Sequence, residues 1–115
     1  MELKLQHYQL QELSHTGIDI AATTGTPILV IADGTVTSAQ YTGSYGYLVK
    51  VDHGNGVESW YAHTSKMYVK AGEMVKAGDV IAAVGSTGNS TGPHLHLEIR
   101  INGQHVNPQK YIYNN

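Results

Sequence analysis

The run Pro93-His94-Leu95-His96-Leu97-Glu98 places two histidines two residues apart in a segment that alternates as a β-strand does. Both imidazoles therefore project from one face. Ser14-His15-Thr16-Gly17-Ile18-Asp19 adds a third histidine and a carboxylate, and Trp60-Tyr61-Ala62-His63 adds a fourth histidine. Nitrogen and carboxylate donors in a chain with no cysteine point toward a catalytic zinc ion.

Spacing limits how these groups can meet. Along a straight strand the Cα atoms of His15 and Asp19 would lie roughly 13 Å apart, too far for one ion. The chain must bend between them, and Gly17 is placed to allow it. His94 and His96 need no bend, because two residues along a strand separate Cα atoms by roughly 6.5 Å with parallel side chains. Zinc hydrolases usually use three protein ligands and leave a fourth position for water. Five candidates for three places leave two for catalysis, and the residue chemistry alone does not decide which of His94 and His96 would bind the ion. His7, His53 and His105 are read as solvated surface histidines. Glu98 shares the face of His94 and His96 and is read as a hydrogen-bond partner behind a ligand or as a strand charge.

The elements that must carry these groups are almost entirely β. Residues 27–32, 34–41, 45–51, 57–63, 80–84 and 94–101 are short runs rich in Val, Ile, Thr and Tyr, separated by glycine-containing turns. Asp52-His53-Gly54-Asn55-Gly56 is the clearest hairpin turn. Leu3 to Leu13 has an apolar spacing compatible with a short helix or an irregular lead-in. This predicts an all-β chain, a single antiparallel sheet or β-sandwich with short hairpins, with a lead-in over 1–14 and the domain over 15–115.

A length of 115 residues suits one domain. With seven Lys and Arg, nine Asp and Glu and a formal charge of −2, no basic stripe suggests nucleic acid. No stretch is long and apolar enough to span a bilayer. The first residues lack the apolar core of a secretory signal, so an exported protein would contain this chain as a mature form or an excised domain.

The segments His15-Thr16-Gly17-Ile18-Asp19, Tyr61-Ala62-His63 and Gly85 to Glu98 together resemble the M23 metallopeptidases, the lysostaphin and LytM type of peptidoglycan endopeptidase. The resemblance extends from about His15 to Tyr111 and includes 32–36, 52–56 and 106–108. It implies the LytM type of fold, zinc held by His15, Asp19 and His96, and catalytic roles for His63 and His94 beside the reacting water and peptide. It further implies a peptidoglycan peptide as substrate, action outside the cytoplasm, and loops lining the cleft, for which Tyr45 and Tyr47 are the candidate substrate-binding residues. A monomer is expected. No motif position is substituted, which weighs against the family's non-catalytic members, whose role as a wall-binding adaptor or hydrolase activator is the alternative. The segment Val69 to Ile81 resembles the paired turns of biotinyl and lipoyl carrier domains, but Lys66-Met67 sits outside the hairpin tip that carrier chemistry requires. That segment is read as a turn scaffold.

Overall fold

A computed structural model of the chain describes residues 3–4, 11–13 and 16–113. The strands are β1 (Leu3–Lys4), β2 (Gln11–Leu13), β3 (Ile18–Ala21), β4 (Pro27–Leu29), β5 (Gly34–Tyr41), β6 (Tyr47–Gly54), β7 (Val57–Met67), β8 (Met74–Val75), β9 (Val80–Val84), β10 (His94–Ile101), β11 (Gln104–Val106) and β12 (Ile112–Tyr113). Among the described residues, β2 to β11 form one antiparallel sheet in the order β2-β3-β10-β7-β6-β5-β8. Strand β11 pairs with β10, β9 pairs with β7, and β4 pairs with β9. Strands β1 and β12 form a separate parallel pair.

Three expected strands, β5, β9 and β10, have the bounds that their β-branched and aromatic runs suggested. Strand β4 stops at Leu29, where its register with β9 shifts and the Val30 amide donates to the Asp79 carbonyl instead. Strand β6 starts at Tyr47 because Gly43–Tyr45 forms a 3-10 turn. Its hairpin to β7 closes through Asn55 and Gly56, at φ 54° and 79°. These are the left-handed angles that such a turn demands. The short helix considered for Leu3 to Leu13 is replaced where residues are described. Leu3–Lys4 and Gln11–Leu13 are strands, and Gln11–Leu13 pairs with Ile18–Ile20. Tertiary pairing supplies backbone partners there, which an isolated amphipathic pattern cannot foresee.

Alternation on β10 divides the molecule. Leu95, Leu97 and Ile99 are buried, joining Ile18, Ile20, Val49, Val51 and Tyr61 in the apolar core. Each such aliphatic side chain contributes roughly 1.5–3 kcal/mol on burial, so this face fixes the register of β3, β10 and β7. His94, His96, Glu98 and Arg100 consequently share the opposite face. A one-residue slip of β10 would send all four into the core, which is why the apolar alternation also positions the polar site.

The bend expected between His15 and Asp19 falls at Thr16 and Gly17. The reason for glycine differs from the expectation. Gly17 packs so close to β10 that a Cβ there would collide with the Leu97 carbonyl oxygen. The position calls for glycine through close backbone approach, with no requirement for unusual backbone angles.

Candidate active site

Three adjacent strands supply the site. Asp19 on β3 lies opposite His96 on β10, and His96 lies opposite Ala62 on β7, one residue before His63. His94 sits one alternation earlier on β10. The side chains of Asp19, His63, His94 and His96 line one cleft of about 540 Å³, walled by Thr16, Ser44, Tyr45 and the Asn89–Thr91 loop.

His96 is gripped at both ring nitrogens. Its Nδ1 lies 2.7 Å from Asp19 Oδ1, and its Nε2 lies 2.9 Å from Glu98 Oε2 and 3.1 Å from Thr16 Oγ1. Burial opposes the charged imidazole, but the hydrogen bonds to Glu98 and Asp19 outweigh it and raise its pKa above the ordinary value. Glu98 is fully buried. Burial would raise its pKa, yet hydrogen bonds from His96, Tyr45, Arg100 and Thr16 push it down to about 2. A buried carboxylate that accepts from several donors stays ionised.

This arrangement bears on whether a metal fits. With the Nε2 proton donated to ionised Glu98, Nδ1 turns toward a second carboxylate, Asp19. A lone pair aimed at a carboxylate oxygen 2.7 Å away needs a cation between them, either a proton or a metal ion. The histidine-carboxylate pair therefore suits a divalent ion, with Glu98 orienting the ligand from behind. His15, expected as the third ligand, lies outside the described residues. Among the described residues no three His, Asp or Glu side chains form a metal-holding group.

The other two histidines share a different design. His63 Nδ1 donates to the Thr87 carbonyl at 2.7 Å, and His94 Nδ1 donates to the Gly92 carbonyl at 2.9 Å. A neutral ring held this way carries its proton on Nδ1 and leaves Nε2 as the acceptor nitrogen. His94 Nε2 lies 3.5 Å from Asp19 Oδ1, and the His63 and His94 rings are 4.9 Å apart. Burial lowers the pKa of His63, only partly offset by its bond to Thr87, and so favours the neutral ring.

His63 also has a backbone φ of 62°, in the left-handed region that a non-glycine residue rarely adopts. Thr64 pairs with Tyr47 and Tyr61 with Val49, which leaves Ala62 and His63 opposite Leu48 alone. This bulge turns the His63 side chain out of the regular alternation and into the cleft. Such strain costs about 1–2 kcal/mol and is found where surrounding structure holds it for a function.

Some residues of this site carried no signal in the sequence. Thr87 orients His63, and its Oγ1 donates to the Thr64 carbonyl while accepting from the Tyr47 amide. Its loop interlocks with the Gly43–Tyr45 turn. A Cβ on Gly46 would strike Thr87, and one on Gly88 would strike the Gly46 amide. The glycines in Ser44-Tyr45-Gly46-Tyr47 and Thr87-Gly88-Asn89 were the available hint. Tyr45 lines the cleft, with its hydroxyl donating to Glu98 Oε2 at 2.7 Å. Tyr47 does not line the cleft. Its ring packs edge-on against Tyr41 at 5.2 Å, and it borders a separate depression with Ser65 to Tyr68, because Tyr45 belongs to the 3-10 turn over Gly43–Tyr45 and Tyr47 begins β6, so the two do not share a strand face.

The histidines outside the cleft have other roles. His53 is not a solvated surface residue. Its Nδ1 donates to the Asp33 carbonyl at 2.8 Å, and its Nε2 accepts from buried Ser59 at 2.7 Å. Ser59 in turn meets the Tyr61 hydroxyl at 2.6 Å, which accepts from the Ile31 amide. That chain of bonds ties the β6–β7 hairpin to the loop after β4. His105 is exposed, and His7 lies outside the described residues. Lys66 and Met67 pair with Ala83 and Ala82 inside the sheet, away from any hairpin tip.

The sequence profile of Peptidase family M23 matches residues 13–108. DD-carboxypeptidase/endopeptidase Mpg of Neisseria meningitidis serogroup B is 56% identical over 94 residues, covering 82% of this chain and 22% of that protein. Murein hydrolase activator EnvC of Escherichia coli is 45% identical over 105 residues, covering 90% of this chain and 25% of that protein. The chain thus spans about a quarter or less of these relatives. Among solved structures, the catalytic domain of the antimicrobial peptidase lysostaphin from Staphylococcus simulans superposes with a TM-score of 0.81 at 33% identity, covering 90% of this chain and 86% of that one. A zinc containing peptidase from Vibrio cholerae gives a TM-score of 0.78 at 36% identity, covering 80% of this chain and 28% of that one.

Proposed function

Because the chain belongs to peptidase family M23, we propose that it is a zinc-dependent endopeptidase that hydrolyses peptide bonds in the stem peptides or cross-bridges of peptidoglycan, outside the cytoplasm. One observation carries the reading. His96 presents Nδ1 to the Asp19 carboxylate while Glu98 holds its other nitrogen, beside two histidines whose Nδ1 atoms are tied to backbone carbonyls.

His15, Asp19 and His96 would hold the ion, whose charge lowers the pKa of a water and polarises a carbonyl when it is bound. His63, whose neutral form burial favours, keeps Nε2 available on the cleft side to take a proton from that water. His94, its Nδ1 tied to Gly92, offers Nε2 as a second proton acceptor, and only after taking up a proton there would it hydrogen-bond the carbonyl oxygen or protonate the departing amine. Thr87 and Gly92 act on the reaction only through the tautomers they set. Tyr45 contributes its ring to the cleft wall, and its hydroxyl is already committed to Glu98.

The 45% identity to a murein hydrolase activator supports a second reading, a domain that activates another wall hydrolase. The two separate on one experiment. The chain loaded with zinc is incubated with purified peptidoglycan carrying glycyl bridges or D-alanyl cross-links, and new amino groups are counted. Release from either wall by the purified chain supports the peptidase. Full zinc occupancy with no release from either, and stimulation of an added wall hydrolase, supports the activator.

A further inference from the structure

We propose that Arg100 is a positioning residue for the ligand His96, acting through Glu98, with Tyr45 and Trp60 as its braces. The inference rests on the zinc reading above and extends it to a residue that does not line the cleft.

The geometry divides the two oxygens of Glu98 between two tasks. Oε1 accepts from Arg100 Nε at 3.0 Å and from Nη2 at 2.9 Å. Oε2 accepts from the Tyr45 hydroxyl at 2.7 Å and from His96 Nε2 at 2.9 Å. Arg100 Nη2 also lies 3.3 Å from the Tyr45 hydroxyl oxygen, which closes the ring of contacts. Turning the Glu98 carboxyl group would break bonds at both oxygens at once. The oxygen facing His96 is therefore held chiefly by the guanidinium on the other side of the carboxylate, where both Arg100 bonds are shorter than the 3.5 Å approach of His105 Nε2 to the same Oε1.

Arg100 is itself held. Its Cζ lies 3.7 Å from the Trp60 ring centroid, and Lys50 Nζ lies 4.0 Å from the same centroid. The Trp60 indole N–H donates to Glu58, and the Tyr45 ring meets Trp60 at 5.6 Å. Strand alternation places Arg100 beside Glu98 as it places Glu98 beside His96, so the line Arg100, Glu98, His96 follows one face of β10. A guanidinium suits this task because its planar fork delivers two donors in fixed directions while its face stacks on an aromatic ring. A lysine would supply charge without that fork.

The consequence falls on which nitrogen of His96 meets the ion. With Nε2 committed as a donor to Glu98, Nδ1 is left for the Asp19 side. Outer partners of this type change metal affinity by about 10–100-fold when removed.

The test uses the chain with zinc as the probe. Arg100→Met keeps an apolar stem over Trp60 and removes the fork, Arg100→Lys keeps the charge alone, and Tyr45→Phe removes one brace. Zinc affinity is read by competition with a chromophoric chelator, and the protonated nitrogen of His96 by long-range proton–nitrogen correlation in zinc-loaded, nitrogen-15-labelled chain. The parent should show one tautomer with the proton on Nε2. Arg100→Met should bind zinc about 10–100-fold more weakly and lose that single tautomer, with partial recovery in Arg100→Lys. A purely structural role would lower the unfolding midpoint while leaving both readouts unchanged. Affinity within twofold of the parent in Arg100→Met and Tyr45→Phe, with the same tautomer, overturns the inference. If Arg100→Met does not fold, Arg100→Lys and Tyr45→Phe give the same two readouts and decide it. A parent chain that binds no zinc removes the zinc reading itself, whereas zinc binding indifferent to Arg100 removes only this inference.

Discussion

Replacing His63 by asparagine should separate stability from catalysis. His63 sits at φ 62°, a conformation that costs an ordinary side chain about 1–2 kcal/mol and that asparagine tolerates well. Against this relief stand the lost hydrogen bond to the Thr87 carbonyl, worth about 1 kcal/mol, and a small loss of packing. The two nearly cancel, so His63→Asn should change folding stability by less than about 1 kcal/mol. Loss of a general base costs about 10²–10⁴ in rate, or about 2.7–5.4 kcal/mol in the barrier. Thermal unfolding, zinc content and amino-group release from peptidoglycan would be measured on parent and variant. A stable, zinc-loaded, inactive protein is expected. Activity within tenfold of the parent would refute the base role, and destabilisation beyond about 3 kcal/mol would refute the strain argument.

Asp19→Ala, His15→Ala and His96→Ala should each lose zinc and activity, whereas His94→Ala should keep zinc and lose activity, by metal analysis and turnover. Because the pKa of His96 is raised in the metal-free chain, a proton competes with zinc already above the ordinary imidazole range. Apparent zinc affinity should therefore fall as pH drops through neutrality, and a flat profile from about pH 8 to 5 would contradict it. Glu98 has a depressed pKa, so its stabilisation is present above the usual carboxylate range and is lost as pH falls toward about 2. Acid titration of Glu98→Gln should lack that portion of the parent's stability loss. Removing Met1 to Leu5 deletes the two-residue pairing of β1 with β12 and should leave zinc affinity and turnover unchanged; lost turnover with intact zinc affinity would show that this segment shapes the cleft.

The sequence carried the site's main line because strand alternation is a local property. The pattern His94-Leu95-His96-Leu97-Glu98 sorts core from cleft by itself, and β10 has the expected bounds. Glu98 was legible as a hydrogen-bond partner of His96 for the same reason. Contacts across long separations were not. Tyr45 and Glu98 are 53 residues apart, and His63 and Thr87 are 24 apart; no periodicity relates them. The His63 bulge is invisible in a run that reads as continuous strand, since it depends on the register between β6 and β7. His53 was misread because its turn looked solvated, while its partner Ser59 is buried two residues into β7. Tyr47 followed Tyr45 in a run read as one strand, but the 3-10 turn over Gly43–Tyr45 gives the two tyrosines different surroundings.

The central claim is that this chain uses zinc to cut peptide bonds. Its site offers histidines around the Asp19 carboxylate, with Glu98 already bonded by several donors, rather than the two positioned carboxylates that glycosidic cleavage needs. The most direct measurement is digestion of purified peptidoglycan with simultaneous assay of free amino groups and reducing sugar ends, before chelation, after chelation and after zinc is restored. The account predicts new amino groups without new reducing ends, abolished by the chelator and recovered with zinc. New reducing ends, or amino-group release that persists without zinc, would contradict it.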